Sequence, residues 1–334
     1  MPKSRVRLSI LDQSPVIEGS SVADALAATV DLAQMADELG YHRYWCAEHH
    51  GSLALANPAP EIMVARLAAA TKRIRVGSGG IMLPYYSPWK VAEQFLLLEA
   101  LFPGRIDLGL GRAPGGDQRT ARAVAGGQPA SEQFPAQVAL LAALLADNLP
   151  ENHPYRELAM QPRTGSKPEI WMLGSSDFGG SLAAQLGLNF CFAHFINAQD
   201  GEAVSRQYRE QFQPGYEQKP HAAVALFVIC ADTEQEAADL SAAVDLRRLY
   251  QAYGHNAPIP GVATAKSMQY SPRDQAIIDS ERPRSIIGTP ERVAERVQAL
   301  KDGFAADEIL VLTVAASYKA RQRSVQLLAE SDLH

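Results

Sequence analysis

Short apolar runs alternate with longer segments of helical periodicity along most of the chain. In the helical segments apolar residues recur at i, i+4 and i+7, as at Val91, Phe95 and Leu98. Eight runs of apolar and β-branched residues are predicted as strands, namely 8–11, 43–47, 74–79, 106–110, 169–173, 189–193, 222–230 and 308–314. Eight successive βα units predict the α/β class and, within it, a (β/α)8 TIM barrel.

Proline marks three of the predicted helix starts. Asn57-Pro58, Ser87-Pro88 and Thr289-Pro290 each place a side chain that favours the N-cap position directly before a proline. Proline is well tolerated as the first helical residue, because the N–H that it lacks would have no partner inside the helix. We therefore expect helices to begin at these three prolines.

Two segments interrupt the alternation of strands and helices. A barrel of this type needs roughly 250 residues, and we expect residues 1–334 to form a single barrel domain with insertions. Residues 113–131 are rich in Gly, Ala and Pro and follow a predicted strand, and residues 254–284 contain several prolines and little periodicity. Active sites of such barrels lie at the carboxyl ends of the strands, so both segments are predicted to be lid loops on that face.

Charge and cysteine content narrow the class of protein. The 31 Lys and Arg stand against 37 Asp and Glu, with a net charge of −6 and no basic block, so nucleic acid is not expected as a partner. No apolar run approaches the ~20 residues of a membrane-spanning helix, so no membrane association is expected. Cys46, Cys191 and Cys230 are widely separated in apolar surroundings and are expected to be reduced, which predicts a cytoplasmic protein.

Charged and imidazole groups follow the predicted strand 43–47. Neighbouring side chains of an extended segment point to opposite faces, so Glu48 and His50 should share one side and His49 should take the other. This alternation disfavours a shared metal site, and the remaining histidines are scattered, so no metal is expected. His49 is a candidate catalytic residue because barrel active sites form at strand ends. The alternative is that the histidines only cap a loop.

Glycine is concentrated in the predicted strand 74–79 and just after it. Glycine inside a strand often marks the close approach of a ligand to the backbone, so a flat aromatic cofactor would fit against Gly79 and Gly80. Ordinary packing in a crowded barrel interior is the alternative. A dinucleotide-binding fingerprint is not indicated, because the next helix opens only at Pro88 instead of directly after the glycines.

Two further strand ends carry groups suited to an anion. Arg112 follows the strand 106–110, where a guanidinium can hold a phosphate or carboxylate through two hydrogen bonds; a surface salt bridge is the alternative. Gly174, Ser175 and Ser176 follow the strand 169–173 and precede a predicted helix. Free N–H groups at the start of that helix, together with the two hydroxyls, favour an anion, and a simple serine N-cap is the alternative.

Together these residues resemble the bacterial luciferase-like family of flavin-dependent monooxygenases over nearly the whole chain. The most specific matches are Ala47-Glu48-His49-His50, residues 76–84 leading to Ala92-Glu93-Gln94, residues 103–112, and residues 287–293 followed by Asp307-Glu308. The resemblance implies a (β/α)8 barrel that binds reduced FMN, activates O2 on it and oxygenates a small-molecule substrate. It also implies a homodimer, with reduced FMN supplied by a separate flavin reductase.

Particular roles carry over with the matched positions. His49 matches the family histidine that lies near the flavin ring and affects the lifetime and reactivity of the oxygenated flavin. Gly79-Gly80 matches a place where the family often carries a cis peptide bond that does not precede proline. The positions that match the family's phosphate site, or adjoin it, are Arg112, Gly174, Ser175 and Ser176.

The sequence also departs from the luciferases within this family. Gly111 stands where luciferases carry a reactive cysteine, and Ser175 stands where they place an acidic residue near the phosphate, which argues against luciferase activity itself. The family includes enzymes of the deazaflavin F420, so hydride transfer with F420 is the alternative enzymatic function. A non-catalytic flavin-binding barrel subunit is the alternative of a different class, and the intact His49 and Arg112 argue against it.

Overall fold

A closed ring of parallel strands forms the centre of the molecule. The structure is a computed structural model that describes residues 6–112 and 116–333. Within these ranges the strands are β1 (Leu8–Asp12), β2 (Arg43–Cys46), β3 (Arg75–Met82), β4 (Ile106–Gly111), β5 (Glu169–Gly174), β6 (Asn189–Ala193), β7 (Ala222–Cys230), β8 (Ser285–Gly288) and β9 (Glu308–Leu312). The ring runs in chain order from β1 to β7, and β9 closes it by pairing with both β7 and β1. The predicted (β/α)8 barrel is confirmed.

Helices surround the ring and connect its strands. Their bounds are α1 (Val22–Leu39), α2 (Pro60–Ala70), α3 (Pro88–Leu101), α4 (Gln118–Val124), α5 (Phe134–Leu145), α6 (Asp177–Leu186), α7 (Gly201–Gln211), α8 (Glu234–Ala252), α9 (Val262–Ser267), α10 (Pro272–Glu281), α11 (Pro290–Gly303) and α12 (Tyr318–Glu330). No helix of the described residues is long and apolar enough to cross a membrane. The described part of the chain also contains no group of three or more His, Cys, Asp or Glu side chains that could hold a metal ion.

The predicted strands recur with small shifts at their ends. The strands 189–193 and 222–230 have the predicted bounds, and every residue in them is buried. β3 runs three residues beyond the prediction, through Gly79 and Gly80, and its register against β4 shifts between Ser78 and Ile81. β8 was not predicted; it spans four residues and pairs with the C-terminal half of β7 outside the ring.

Two of the three predicted helix starts are confirmed. α3 begins at Pro88 and α11 at Pro290, with Ser87 and Thr289 in the N-cap positions. The start at Pro58 is wrong, because α2 begins at Pro60. The Asn57 side chain instead bridges the loop, since it accepts a hydrogen bond from the backbone N–H of Ala59 and donates one to the carbonyl of Ala47.

The amino-terminal end of the barrel is closed by a buried ionic cluster. Arg43, almost fully buried, lies 2.7 Å from Oδ2 of Asp107 and 2.7 Å from Oε1 of Glu308. Arg75 approaches the other oxygen of Asp107 at 2.6 Å, and the Nε1–H of Trp45 donates to Asp107. These groups come from the first residues of four strands, so the cluster joins the ring at the end opposite the cavity described below. Buried charges of this kind require such pairing.

The two segments predicted as lid loops contain regular structure. Residues 113–115 lie outside the described residues, and the rest of the first segment contains α4. The second segment is helical over α9 and α10, contrary to the prediction of little regular structure. Its backbone is also attached to the body of the protein, because Ile259 is buried and exchanges hydrogen bonds with Val16 and Glu18. Whether either segment opens and closes over the cavity stays a prediction.

Candidate functional site

A cavity of about 450 Å³ opens at the carboxyl ends of the barrel strands. Apolar side chains from several strands form much of its floor and wall, among them Leu11, Trp45, Met172, Leu173, Phe227 and Leu312. All seven residues predicted as site residues line it: His49, Gly79, Gly80, Arg112, Gly174, Ser175 and Ser176. The structure therefore brings together groups that the chain separates by more than a hundred residues.

His49 follows β2 and is held by the loop that precedes α2. Its backbone N–H donates to the carbonyl of Asn57 at 3.0 Å, and the side chain of Asn57 donates to the carbonyl of Ala47 at 3.1 Å. Nδ1 of His49 is buried and has no hydrogen-bond partner among the described residues. Burial, together with the nearby charge of Arg247, lowers the pKa of His49 to about 4. The imidazole is therefore neutral at pH 7, with one ring nitrogen free for a ligand.

Glu48 lies beside His49, contacts His50 as the alternation predicts, and also lines the cavity. Its Oε1 lies 2.7 Å from Nε2 of His50 and accepts from the hydroxyl of Tyr86 at 2.7 Å. Its Oε2 accepts from the backbone N–H of Met82 at 2.9 Å, and burial raises the pKa of this carboxyl. Glu48 thus connects the end of β2 to the end of β3, a role that the sequence did not indicate.

Gly79 and Gly80 lie where β3 passes the cavity, and the peptide bond between them is cis, as the resemblance implied. A Cβ atom on Gly79 would lie 2.5 Å from Cδ1 of Leu11, and one on Gly80 would lie 2.8 Å from the carbonyl oxygen of Gly109. Side chains are therefore excluded at both positions by packing within the barrel. This supports the interpretation that packing requires glycine here. Because both residues lack a side chain, backbone atoms border the cavity at this point.

Arg112 and the start of α6 lie on one side of the cavity. The guanidinium carbon of Arg112 lies 4.0 Å from the ring centroid of Phe178, a cation–π contact, and within the described ranges Arg112 forms no salt bridge. Ser176 occupies the N-cap position of α6, yet its hydroxyl makes no capping hydrogen bond. Asp177 accepts from the N–H of Phe178 at 2.8 Å, so one of the free helix N–H groups has a protein partner.

Arg247 lines the same cavity and was not predicted from the sequence. It lies within α8, among polar and apolar residues whose pattern is that of an ordinary helix with one solvated face. Arg248, the next residue, also lines the cavity but is paired with Asp245. Only the three-dimensional structure distinguishes these two arginines, because the fold decides which guanidinium has a carboxylate partner.

Comparison with known proteins identifies relatives that cover almost the full chain. The profile of the luciferase-like monooxygenases matches residues 6–307. An uncharacterized protein of Bacillus subtilis, YwcH, is 46% identical over 98% of this chain and 99% of its own length. The N-acetyl-S-alkylcysteine monooxygenase of the same organism is 39% identical over 98% of both chains. The crystal structure of apo-MsnO8 superposes with a TM-score of 0.90, at 38% identity over 97% of this chain and 98% of that one.

More distant structures share the fold and differ in cofactor. The oxygenating constituent of 3,6-diketocamphane monooxygenase, solved in complex with FMN, is 20% identical over 97% of both chains with a TM-score of 0.73. An F420-dependent secondary alcohol dehydrogenase is 12% identical over 97% of this chain and 99% of that one, with a TM-score of 0.67. At these identities the comparison establishes the barrel alone, which accommodates either FMN or F420.

Proposed function

The chain belongs to the luciferase-like monooxygenase family, and we propose that it is an FMN-dependent monooxygenase that uses reduced FMN and O2 to oxygenate a small organic substrate. One observation carries this proposal: a cation, the start of a helix, a glycine backbone and a neutral buried imidazole all border one cavity of about 450 Å³. A cation and a helix start suit a phosphate, and bare backbone beside an imidazole suits a flat ring, so the cavity fits a cofactor that carries both groups.

The residues present fit reduced FMN. The phosphate would be held by Arg112 and by the hydroxyls of Ser175 and Ser176, beside the backbone of Gly174 at the start of α6. The ring would lie against the backbone of Gly79 and Gly80, where packing excludes side chains. When bound, reduced FMN supplies the two electrons with which one atom of O2 is transferred to the substrate and the other leaves as water.

The protein side chains then control protons and water. His49 presents a neutral imidazole with a buried, unpartnered Nδ1, so it can exchange a hydrogen bond with the cofactor or substrate without introducing a charge. The apolar side chains around it, such as Trp45 and Leu312, exclude solvent from the same space. We propose His49 as the catalytic residue that directs oxygen to the substrate instead of to hydrogen peroxide.

The relatives favour FMN and O2 over F420. Two relatives that are 39% and 37% identical over nearly the full chain carry monooxygenase names, whereas two F420 enzymes are 12 to 13% identical and share the fold only. The relative named N-acetyl-S-alkylcysteine monooxygenase suggests thioethers as the first substrate class. Hydride transfer with F420 is the alternative, and titration of the chain with reduced FMN and with F420 distinguishes the two.

We also propose a separate reductase, a homodimer and a cytoplasmic location. One relative is described as the oxygenase component of a flavin-dependent monooxygenase, which supports a reductase that delivers reduced FMN. Ile62 on α2 and Leu97 and Leu101 on α3 are more than half exposed and would be covered in a dimer. All three cysteines are buried and free, which suits a reducing compartment.

Oxygen transfer tests the proposed reaction directly. The purified chain is supplied with a flavin reductase, NADH, FMN and 18O2, and a panel of a thioether, a long-chain aldehyde and an alkanesulfonate is analysed by mass spectrometry. We expect one 18O atom in the product of at least one substrate class, with no incorporation when the chain is omitted. A second assay supplies the chain with F420 and a panel of alcohols. Reduction of F420 in that assay, with no 18O incorporation from 18O2, would contradict the proposal.

A further inference from the structure

Arg247 is a cation in the cavity and has no carboxylate partner among the described residues. Its Nε atom is buried and has no hydrogen-bond partner among residues 6–112 and 116–333. Within the same ranges the guanidinium makes one hydrogen bond, a long one of 3.4 Å from Nη2 to Oε1 of Gln13. Burial, together with the charge of Arg248, lowers the pKa of Arg247 to about 10, so the side chain is still charged at pH 7. The residue is partly exposed and lines the cavity, so a ligand bound there would supply the counter-charge that the described residues do not.

Arg248 shows what the same helix does with a structural arginine. Its Nη1 lies 3.7 Å from Oδ1 of Asp245, and its Nη2 donates to the hydroxyl of Ser285. Asp245 is bound in addition by Arg282 at 2.9 Å. The neighbouring guanidinium on α8 is therefore neutralised by protein groups, and Arg247 is not.

The position of Arg247 separates it from the proposed phosphate site. Arg112 stacks on Phe178 at the start of α6, next to the ends of β4 and β5. Arg247 lies on α8, which follows β7, and its charge acts on His49 after β2. Arg112 and the start of α6 already provide donors for the cofactor phosphate. If the phosphate binds there, a second anion is needed to neutralise the charge of Arg247. That anion would lie beside the imidazole at which the reaction is proposed to occur.

Resting on the proposed function, we propose that Arg247, with Gln13 beside it, binds the carboxylate of an otherwise apolar substrate. The planar guanidinium matches the two oxygens of a carboxylate, and the amide nitrogen of Gln13 offers a further donor. Apolar groups that line the same cavity, including Phe195, Phe227 and Leu312, provide the surface for the rest of the substrate. The substrate is therefore a small organic acid with an apolar body, held so that its oxidisable atom lies near His49.

The test compares an acid with its neutral amide. N-acetyl-S-benzylcysteine and its primary amide are titrated calorimetrically into the wild type, first alone and then under anaerobic conditions with reduced FMN. A charge-assisted interaction of this kind is worth about 10- to 100-fold in binding, so the wild type should prefer the acid by that factor. Arg247→Gln should abolish the preference without weakening the amide, and Arg247→Lys should restore part of it. Arg292→Gln, which removes an exposed arginine outside the cavity, should keep the preference.

Several results would overturn the assignment. Equal binding of acid and amide by the wild type, binding of neither, or an unchanged preference in Arg247→Gln would each show that Arg247 binds no substrate carboxylate. A rise of more than about tenfold in the Kd for reduced FMN in Arg247→Gln, with the acid preference unchanged, would assign Arg247 to the flavin instead. Because binding is measured without turnover and also without flavin, failure of the monooxygenase proposal would be recognised separately, by the 18O2 experiment.

Discussion

Oε2 of Glu48 accepts a hydrogen bond of 2.9 Å from the backbone N–H of Met82, and this contact joins the strand end that carries His49 to the strand that carries Gly79 and Gly80. The other carboxylate oxygen is occupied by His50 and Tyr86. The carboxylate therefore sets the spacing between the proposed catalytic imidazole and the glycine backbone against which the flavin ring is proposed to lie.

Removing this carboxylate should destabilise the fold and loosen the site. Glu48→Ala leaves the N–H of Met82 and the hydroxyl of Tyr86 without their acceptor, and we expect a loss of about 2–4 kcal/mol in the free energy of unfolding. Urea denaturation followed by tryptophan fluorescence measures it. Glu202→Ala removes a half-exposed carboxylate whose salt bridge to Arg206 spans 3.8 Å, and it should change stability by less than about 0.5 kcal/mol. Equal effects of the two substitutions would contradict the role of Glu48.

His49→Ala should uncouple oxygen consumption from product formation. Loss of the imidazole removes a buried hydrogen-bonding group beside the reacting centre, so product per O2 consumed should fall about 10- to 100-fold while hydrogen peroxide rises. The Kd for reduced FMN should change by less than about threefold. His255→Ala, which alters an exposed histidine on a loop, serves as control. An unchanged ratio of product to peroxide in His49→Ala would remove its assigned role.

The pH dependence of this coupling follows from burial of the same side chain. The pKa of His49 is lowered to about 4, so the imidazole stays neutral between pH 5 and 8 and gains a proton only below that range. We therefore expect the product-to-peroxide ratio to be constant from pH 8 down to about 5 and to fall on approach to pH 4. A transition centred near 6.5, the ordinary value for histidine, would show that the imidazole is exposed in the working enzyme.

We expect Arg112 to bind the phosphate of the cofactor and to contribute nothing to binding of its ring. Arg112→Gln is expected to raise the Kd for reduced FMN about 10- to 100-fold, because a charge-assisted contact is lost. Reduced riboflavin has the same ring and no phosphate, so its Kd should stay the same in both proteins. Anaerobic fluorescence titration of the two ligands provides the comparison. A parallel loss of riboflavin binding would mean that the substitution disturbs the cavity as a whole.

Acid should destabilise the barrel through Glu308. Its pKa is lowered to about 2; burial alone would raise it, but Arg43, His221 and Ser9 favour the ionised form. A depressed carboxyl pKa gives stability that is complete above the unfolded value of about 4.5 and is lost as pH falls from there towards 2. Glu308→Gln should lower stability at pH 7 and flatten its dependence below pH 4.5. The free energy of unfolding of both proteins is measured by urea denaturation at each pH. Its slope against pH below 4.5 should be smaller in Glu308→Gln than in the wild type.

The sequence predicted the elements whose patterns are local. The strand 222–230 is buried at every position, so its apolar run alone defines its bounds. The helix start at Pro58 failed because Asn57 is used by Ala47 and Ala59 across the loop, a tertiary contact that no local pattern reveals. β8 has four residues and owes its existence to the free C-terminal half of β7.

The site was predictable where its residues follow strands. His49, Arg112 and Ser176 lie within three residues of the ends of β2, β4 and β5, and the geometry of a parallel barrel brings such positions to one face. Arg247 lies within a helix, thirteen residues beyond its start at Glu234. Arg247 stands out because none of the described carboxylates pairs with it, whereas Arg248 pairs with Asp245. Which arginine has such a partner is decided by the folded structure.

An anaerobic titration of the purified chain with reduced FMN, oxidised FMN and F420 tests the proposed cofactor. We expect saturable binding of reduced FMN with a Kd of about 1–10 μM, at least about tenfold tighter than for F420, and weakened binding in Arg112→Gln. Tighter binding of F420 than of reduced FMN would contradict the account in favour of deazaflavin chemistry, and absence of binding for all three would contradict a flavin site in this cavity.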